Sequence, residues 1–211
     1  DEVANPVWGK DDKYIAFEGL KNGKKNIYLL DLESGDIENL TNSNGFSNLE
    51  PFWDTLENKI YFVSDRTFIN GNPKERVYNI FSLDMNSRNI EEITFSDYNK
   101  NRPQKISLHG KDFLVYIQYK NNIKNLFLLD MESKEEYQLT NISGAIYSFD
   151  WAKDSSMLIF SALNEGGWDV FKIIDPLKSI KFIENKTDVS EEIVQNEKEK
   201  KVAVFDKLFP D

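Results

Sequence analysis

The chain of 211 residues has no cysteine and a single histidine, His109. The missing cysteines exclude disulfides, thiol catalysis and cysteine-ligated zinc. One histidine cannot build a multi-histidine metal site or a histidine relay, and Leu108-His109-Gly110-Lys111 is typical of a surface turn. The sequence therefore predicts neither a cofactor nor a bound metal.

Positive charge is also scarce. The chain has 26 Lys and Arg against 36 Asp and Glu, a formal net charge of −10 and a pI near 4.8. Nucleic acids and anionic membranes attract basic surfaces, so neither is an expected partner. Long apolar runs are missing as well: Met157–Phe160 is among the longest, whereas a membrane span needs about 20 residues.

The chain shows no signal peptide and begins at Asp1 instead of Met, which predicts a processed chain or part of a larger polypeptide. Hydrophobic residues make up 40% of it and aromatic residues 13%, enough for a packed core. We therefore expect a folded protein and not an acidic disordered tail.

Four segments of the chain repeat one pattern. In three of the four segments a tryptophan precedes an apolar run, and in each segment a second apolar run ends at an aspartate. The distance from Trp8 to Trp53 is 45 residues and that from Asp84 to Asp130 is 46, whereas Asp31 and Asp84 lie 53 apart because the second repeat has an insertion. A period near 45 with several short β-rich runs per repeat is typical of propeller blades.

The apolar runs have the composition of strands covered on both faces, being rich in β-branched and aromatic residues. The segment after each aspartate reads as a tight turn and leads to a more polar edge strand, such as Ile37–Thr41. No segment has a sustained helical period, so we expect almost no helix. The first apolar runs are Ile15–Phe17, Ile60–Phe62, Leu114–Tyr116 and Leu158–Phe160.

The repeat resembles the TolB-like family of β-propeller repeats, which is related to WD-type repeats. That family's blade reads roughly Pro-x-Trp-Ser-Pro-Asp-Gly, an apolar strand, Asp/Asn-Ile-Tyr-x-x-Asp and Leu-Thr. The resemblance covers residues 6 to about 187, and the third repeat departs from it with Lys105 in place of the tryptophan. The first repeat matches at Pro6, Trp8, Asp12, Ile15, Phe17, Asn26, Ile27, Tyr28, Asp31, Leu40 and Thr41.

The predicted fold class is all-β, a β-propeller of four-stranded antiparallel blades. Four blades are recognisable, and they form a small ring, part of a longer ring or an open array capped by another element. Residues 188–211 break the repeat and read as a charged linker with a strand-like end, Val202–Phe205. The predicted propeller spans 1–187, with blades at about 6–48, 51–100, 103–146 and 149–187.

The search for catalytic motifs is mostly negative, and we predict no catalytic residue. There is no Gly-x-Ser-x-Gly elbow, since Gly45-Phe46-Ser47-Asn48 lacks the second glycine, and no phosphate loop. Ser64-Asp65-Arg66 falls where the TolB-like family carries Ser-Asp-Arg, so its expected role is structural. Paired carboxylates for glycoside cleavage stay an open alternative, since a sequence gives no distances. The recurring Asp31, Asp84, Asp130 and Asp175 either cap turns, which we favour, or line a channel that binds a cation.

The tryptophans divide into two sets. Trp8, Trp53 and Trp151 recur at one position of the repeat, so we expect them in or near the core. Trp168 does not recur; it is the most exposed candidate, although core packing is the favoured reading for it too. We also expect Phe17, Phe62, Tyr116 and Phe160 to be equivalent, largely buried positions between blades.

The longer loops are expected on one face, where rigid scaffolds usually carry binding residues. The second-repeat insertion, 66–76, combines basic and aromatic groups, so we predict Arg66, Phe68, Lys74 and Arg76 as binding residues. Trp168, at the end of another loop, is the fifth predicted binding residue. The segments read as long loops are 19–25, 42–49, 64–77, 95–102, 118–124, 141–147 and 162–168.

Our hypothesis is a non-enzymatic scaffold of a bacterial cell-envelope protein that binds a protein or peptide through the long-loop face. The resemblance implies a location in the periplasm or at the cell surface. Two alternatives stay open: a propeller domain that gates a serine peptidase, and a propeller glycosidase or lyase. The sequence does not name the partner.

Overall fold

The computed structural model describes residues 2–68, 72, 76–108, 110–152, 154–164, 166–176 and 206–207. Within these ranges the chain forms four antiparallel four-stranded sheets, each with its strands in chain order. The predicted all-β fold of propeller blades is confirmed.

The strands of the first two sheets are β1 Glu2–Trp8, β2 Tyr14–Lys21, β3 Lys24–Asp31 and β4 Ile37–Asn39, then β5 Asn48–Asp54, β6 Lys59–Phe68, β7 Arg76–Asp84 and β8 Ile90–Glu92. Those of the last two are β9 Lys100–Leu108, β10 Lys111–Lys120, β11 Ile123–Asp130 and β12 Glu136–Gln138, then β13 Ile146–Trp151, β14 Met157–Asn164, β15 Gly167–Ile174 and β16 Asp206–Lys207.

By compactness the chain divides into two units, residues 1–105 with 114–120 and residues 106–113 with 121–211. The first unit has a core between its two complete sheets. Ala16, Ile27 and Leu29 of the first sheet pack against a row of the second. That row consists of Trp53, Ile60, Phe62, Phe81 and Leu83, all buried.

The indole of Trp53 lies directly on Gly9, at the end of the first sheet. A Cβ atom on Gly9 would be 2.5 Å from the Trp53 ring, so a larger residue would push the ring away. Tyr14 completes this contact, with its ring centroid 6.4 Å from that of Trp53. Gly9 and Tyr14 therefore form the surface on which the tryptophan of the next blade packs.

Lys105 stands where the third repeat lacks its tryptophan, and it too contacts the preceding sheet. Its Nζ is 2.8 Å from Asp54 Oδ2 and 2.5 Å from Glu57 Oε1, and the lysine side chain is almost fully buried. Asp54 follows Trp53 as Gly9 follows Trp8. The residue after the tryptophan position is thus complementary to the side chain that packs on it from the next blade. Gly9 leaves room for the indole of Trp53, and Asp54 supplies the carboxylate that the buried ammonium group of Lys105 needs.

The tryptophan predictions are partly wrong. Trp53 is buried and Trp151 half-buried, but Trp8 is 62% exposed and so is not in the core. The reason is that, within the first unit, no sheet covers the Trp8 face of the first sheet as the first sheet covers Trp53. For the same reason Phe17 is half-buried, whereas Phe62, Tyr116 and Phe160 are buried as expected.

Three of the recurring aspartates cap turns, as favoured over a cation site. Asp31, Asp84 and Asp130 each accept two backbone N–H groups at Oδ1, from residues two and three further on. Hydrogen bonds from Ser87 hold the pKa of Asp84 below its usual value, and the N–H of Ser133 does the same for Asp130. No cluster of three or more His, Asp or Glu side chains suited to a metal ion occurs in the described ranges.

A second recurring contact holds the start of each connecting loop. A buried threonine after the fourth strand accepts the N–H of the third strand and donates to an asparagine, at 2.8, 3.0 and 2.9 Å in the first three blades. The amide of each asparagine then bonds the loop backbone. The Asn–Thr pairs are Asn26–Thr41, Asn79–Thr94 and Asn125–Thr140.

Three segments expected to be long loops are tight turns instead, so that expectation is wrong for 19–25, 118–124 and 162–168. In the last of these, β14 and β15 pair as far as Asn164 and Gly167. β2 and β3 pair up to Lys21 and Lys24, leaving only Asn22 and Gly23 between them, at φ of 54° and 73°. Asn121 and Asn122, also at positive φ, connect β10 to β11. Asparagine and glycine tolerate this left-handed backbone, which continues the strand twist through a two-residue turn.

Several predictions fall on residues outside the described ranges. They include Lys74, His109 and most of the tail, with its strand-like Val202–Phe205. Just after that segment, β16 pairs with β15 as the fourth strand of its sheet, with Asp206 opposite Lys172. The blade limits inferred from the repeat stay a prediction. The part of the chain that is described contains no helix long and apolar enough to cross a bilayer.

Candidate functional site around the β6–β7 hairpin

The β6–β7 hairpin carries the insertion of the second repeat, and its strands extend further than the sequence suggested. Thr67 pairs with Val77 and Phe68 with Arg76, so the insertion beyond the strands is limited to residues 69–75. The register shifts between Ser64 and Thr67, which places Asp65 and Arg66 in a bulge. Bulges redirect side chains, and here both charged side chains reach the loop before β5.

Arg66 is half-buried and is held on three sides. Its Nε donates to Ser64 Oγ at 3.2 Å, and its Nη2 donates to Asn48 Oδ1 at 3.1 Å. Its guanidinium carbon lies 5.8 to 5.9 Å from the ring centroids of Phe46, Phe62 and Phe81. The predicted binding residue Arg66 is thus part of the scaffold that orders the loop.

Arg76 approaches the same phenylalanine from the start of β7. Its guanidinium carbon is 5.3 Å from the Phe46 ring centroid, and its Nη1 donates to the Gly45 carbonyl at 2.6 Å. Nη1 also pairs with Asp65 Oδ2 at 3.4 Å. The side chain of Arg76 is 38% exposed, so it is partly open to solvent.

Asp65 joins the bulge to the connecting loop. Its Oδ1 accepts the N–H of Ser47 at 2.7 Å while Oδ2 faces Arg76. The side chain of Asp65 is mostly buried. The expected structural role of Ser64-Asp65-Arg66 agrees with these contacts. We call Phe46, Asp65, Arg66 and Arg76 the arginine cluster.

The arginine cluster is positive within an acidic protein. It holds two guanidinium groups and one carboxylate. Burial lowers the pKa of Arg66 from its usual value, and the adjacent Asp65 carboxylate opposes that shift. Arginine stays protonated in proteins, so both groups are cations at neutral pH. The exposed part of Arg76 is therefore suited to an acidic or hydrogen-bond-accepting group.

The structure brings together only part of the predicted site. Arg66 and Arg76 meet at Phe46, and Phe68 lies opposite Arg76 in the hairpin register. Lys74 lies outside the described residues. Trp168 belongs to the other compact unit, where it is 61% exposed and contacts Tyr147 edge to face, with centroids 5.6 Å apart. The core packing favoured for Trp168 is wrong, because it lies on a sheet face that the described residues leave open.

Phe46 and Asn48 were missed as contributors. In the sequence, residues 42–49 read as a long loop and Gly45–Asn48 as an incomplete catalytic elbow, and neither pattern predicts a site residue there. The available signal was an aromatic residue in a polar loop, next to a Ser-Asp-Arg segment in the same repeat. What the sequence cannot supply is the bulge that aims Asp65 and Arg66 at this loop.

The second unit contains a cavity of about 620 Å³ between the loop before β13, at residues 141–144, and the strands β14 and β15. Phe160, Leu163 and Phe171 supply apolar walls, and Asn141, Ser143 and Asn164 polar ones. The loop is held against β14 because Leu163 N–H donates to the Ala145 carbonyl at 3.0 Å. A Cβ on Gly144 would lie 2.0 Å from the Leu163 carbonyl oxygen, so only glycine fits this approach.

Comparisons with known proteins agree on the architecture. Residues 2–191 match the profile of the TolB beta propeller domain. A search of curated proteins found no match. The solved structures with the same fold include TolB from Acinetobacter baumannii, at 19% identity and a TM-score of 0.64. The match covers 82% of this chain but only 41% of that one.

Peptidases also contain this fold. A puromycin hydrolase superposes with a TM-score of 0.64 at 12% identity, over 84% of this chain and 27% of the other. A puromycin-hydrolyzing peptidase from Mycobacterium tuberculosis gives 0.59 at 12% identity, over 82% and 28%. At these identities the likeness shows the fold alone. The chain spans less than half the length of each of these three proteins.

Proposed function

Since the chain belongs to the TolB beta propeller domain family, we propose that it is a non-catalytic binding domain that recognises an acidic segment of a protein or peptide at the arginine cluster. The cluster lies at the end of the second sheet that carries the β4–β5 loop and the β6–β7 hairpin. The short turns of that sheet lie at the other end of its strands.

The proposal rests on Arg76, whose side chain is held in position before any partner binds. Its guanidinium is fixed by the Gly45 carbonyl, by Asp65 and by the Phe46 ring, yet more than a third of the side chain stays exposed. A cation held in place loses little conformational entropy when a partner binds. Arginine is also enriched among the residues that dominate interface energies.

The local charge supports an acidic partner. The protein carries a net charge of −10, which repels acidic partners over most of its surface. The arginine cluster reverses the sign locally, so an acidic segment is favoured there by charge-assisted hydrogen bonds. Its carboxylates would reach the Arg76 side chain from solvent.

The proposal includes a bacterial envelope location, in the periplasm or at the cell surface. Its support is membership of the TolB family. The likeness to peptidase propellers supports the second candidate, an accessory domain of a hydrolase that admits or orients a substrate. In either case the propeller residues contribute binding and not bond cleavage.

The test removes the hairpin tip while keeping the described strands. Residues 69–75 are replaced by Asn-Gly, because the Phe68–Arg76 pair can be closed by a two-residue turn. A second variant, Arg76→Glu, reverses the exposed charge. The matched control, Glu33→Ala, changes an exposed turn residue of the first sheet.

Each protein is used to capture partners from an envelope extract of the organism that encodes it. We expect both site variants to lose the partner that the intact protein and Glu33→Ala retain. The hairpin replacement should change the melting temperature little, whereas Arg76→Glu should lower it, because it puts a second carboxylate beside Asp65. If either site variant, still folded, captures that partner as well as the intact protein does, the arginine cluster is not the binding site.

A further inference from the structure

The second and third sheets each hold a cation against the aromatic ring at one position of the repeat. In the second sheet, the guanidinium carbon of Arg66 lies 5.8 Å from the ring centroid of Phe62 and 5.9 Å from that of Phe81. In the third, the ammonium group of Lys100 lies 5.4 Å from the centroid of Tyr116, at the repeat position of Phe62. A cation over an aromatic face is attracted by the ring's quadrupole, so both contacts are favourable.

The fourth sheet has the cavity of about 620 Å³ at this place, a volume within the range of about 300–1,000 Å³ of ordinary ligand sites. Phe160 and Phe171 in its wall pair across β14 and β15, as Phe62 and Phe81 pair across β6 and β7. The ring centroids of the two pairs are 5.4 Å and 6.0 Å apart. Among the described residues, no lysine or arginine lines this cavity, which we call the ring cavity.

The ring cavity arises because smaller residues replace the side chains that cover the ring pair of the second sheet. Gly144 stands two residues before the first strand of its sheet, where the second sheet has Phe46. Asn164 stands four residues after the first ring of the pair, where the second sheet has Arg66. A Cβ on Gly144 would lie 2.0 Å from the Leu163 carbonyl oxygen, so the loop has no room for a side chain at this point.

The wall of the ring cavity suits a guanidinium better than an ammonium group. The buried Lys100 ammonium donates to Gln118 Oε1 at 2.7 Å and to Ser96 Oγ. At the position of Gln118, two residues after the ring, the fourth sheet has Ala162, which offers no side-chain acceptor. A guanidinium is planar, stacks on aromatic faces and is more weakly hydrated than an ammonium group. It therefore loses less when it lies against an apolar wall.

The polar part of the wall supplies acceptors for the N–H groups of a guanidinium. Asn141, Ser143 and Asn164 contribute side-chain oxygens. Asn164 Nδ2 donates to Asp169 Oδ2 at 3.1 Å, which places a carboxylate one hydrogen bond from the cavity wall. Together with the net charge of −10, this carboxylate favours a cationic ligand over an anionic one.

We propose that the ring cavity binds the guanidinium group of a ligand, an arginine in a peptide or the free amino acid. The group lies against Phe160 and Phe171 as that of Arg66 lies against Phe62 and Phe81. All described residues that line the cavity belong to the second compact unit. The inference does not depend on the arginine cluster, which lies in the first unit and is suited to the opposite charge.

Titration of the isotopically labelled protein, followed by nuclear magnetic resonance at the backbone amides of Ser143 and Gly144, tests the site. The probe is N-acetyl-arginine amide. Its controls are N-acetyl-citrulline amide, which has the shape without the charge, and N-acetyl-lysine amide, which has the charge without the planar group. We expect saturable shifts with the arginine probe and an affinity at least about tenfold above either control, the scale of a partly desolvated cation–π contact.

An absence of saturable shifts at these amides would overturn the proposal, as would a citrulline or lysine amide that binds as tightly as the arginine amide. Free L-arginine in a parallel titration separates the two sources. Tighter binding of the amide supports a peptide ligand, and tighter binding of the amino acid supports free arginine.

Two variants place the binding in the cavity. Phe171→Leu removes one aromatic face but keeps an apolar wall, and its matched control is Tyr147→Leu, at an exposed aromatic residue of the same sheet outside the cavity wall. We expect about a tenfold loss of arginine-amide affinity for Phe171→Leu and none for the control. Asn164→Arg, at an exposed position, puts an arginine of the chain where the second sheet has Arg66, and it should abolish binding of the probe. If either cavity variant, still folded, binds the probe as tightly as the unchanged protein, the proposal is wrong.

Discussion

Truncating Phe62 should cost far more stability than truncating Phe17, although the two occupy the same position of the repeat. Phe62 is fully buried, stacks on Phe81 at 6.0 Å and faces Ala16, Ile27 and Leu29 of the first sheet. Phe17 stacks on Tyr28 at 5.7 Å, but it is only half-buried.

For Phe62→Ala we expect a loss of about 3–5 kcal/mol in the free energy of unfolding, because a buried phenylalanine leaves both lost transfer energy and a cavity. For Phe17→Ala a smaller loss is expected, since the ring is already partly exposed and its removal leaves a groove instead of a closed cavity. The assay is urea unfolding of both variants and of the unchanged protein.

The difference between the two variants refutes or supports the reasoning. Equal losses would show that Phe17 is as closely covered in solution as Phe62. A loss below about 1 kcal/mol for Phe62→Ala would show that this position is not in the core at all.

Three further outcomes follow from other contacts. Phe160→Ala, which truncates a buried ring stacked on Phe171 at 5.4 Å, should cost about 3–5 kcal/mol in urea unfolding, and a loss below about 1 kcal/mol would contradict its placement. Lys105→Trp should lower the melting temperature by leaving Asp54 without its buried cation, and adding Asp54→Gly should recover at least half of that loss. No recovery would contradict the inference that the residue at position 54 is complementary to the one at position 105. The Asp84 carboxyl should titrate below about 3.9 by NMR, because Ser87 bonds its charged form, so its contribution to stability is present above that pH and lost as the pH falls through the lowered pKa; a midpoint above about 4 would contradict it.

The fold was predictable because its determinants recur. The spacing of Trp8 and Trp53, of the capping aspartates and of the apolar runs reports a repeated unit, and the register Phe17–Phe62–Tyr116–Phe160 followed from aligning those runs. Burial was less predictable: the same residue type at the same repeat position is buried in the second blade and exposed in the first. The repeat determines which face a side chain occupies, but another sheet determines whether that face is covered.

The candidate site was predictable only in part. Composition identified a basic and aromatic insertion, yet Arg66 is committed to Asn48 and to three phenylalanine rings, while Arg76 keeps an exposed edge. Arg66 reaches Asn48 and the phenylalanine rings because Asp65 and Arg66 lie in a bulge of β6. A bulge depends on how two strands pair, which the residue types alone do not show. Likewise the segments 19–25, 118–124 and 162–168 are short turns and not long loops, because the strands on either side pair almost completely.

Site-specific photo-crosslinking tests the binding proposal most directly. A photoreactive amino acid at position 74, within the hairpin insertion, is compared with one at Ser34, in a short turn of the first sheet. After irradiation in an envelope extract, we predict a discrete adduct with one acidic partner from position 74 and none from position 34, and Arg76→Glu should abolish it. An adduct from position 34 alone, or one from position 74 that survives Arg76→Glu, would contradict the proposal.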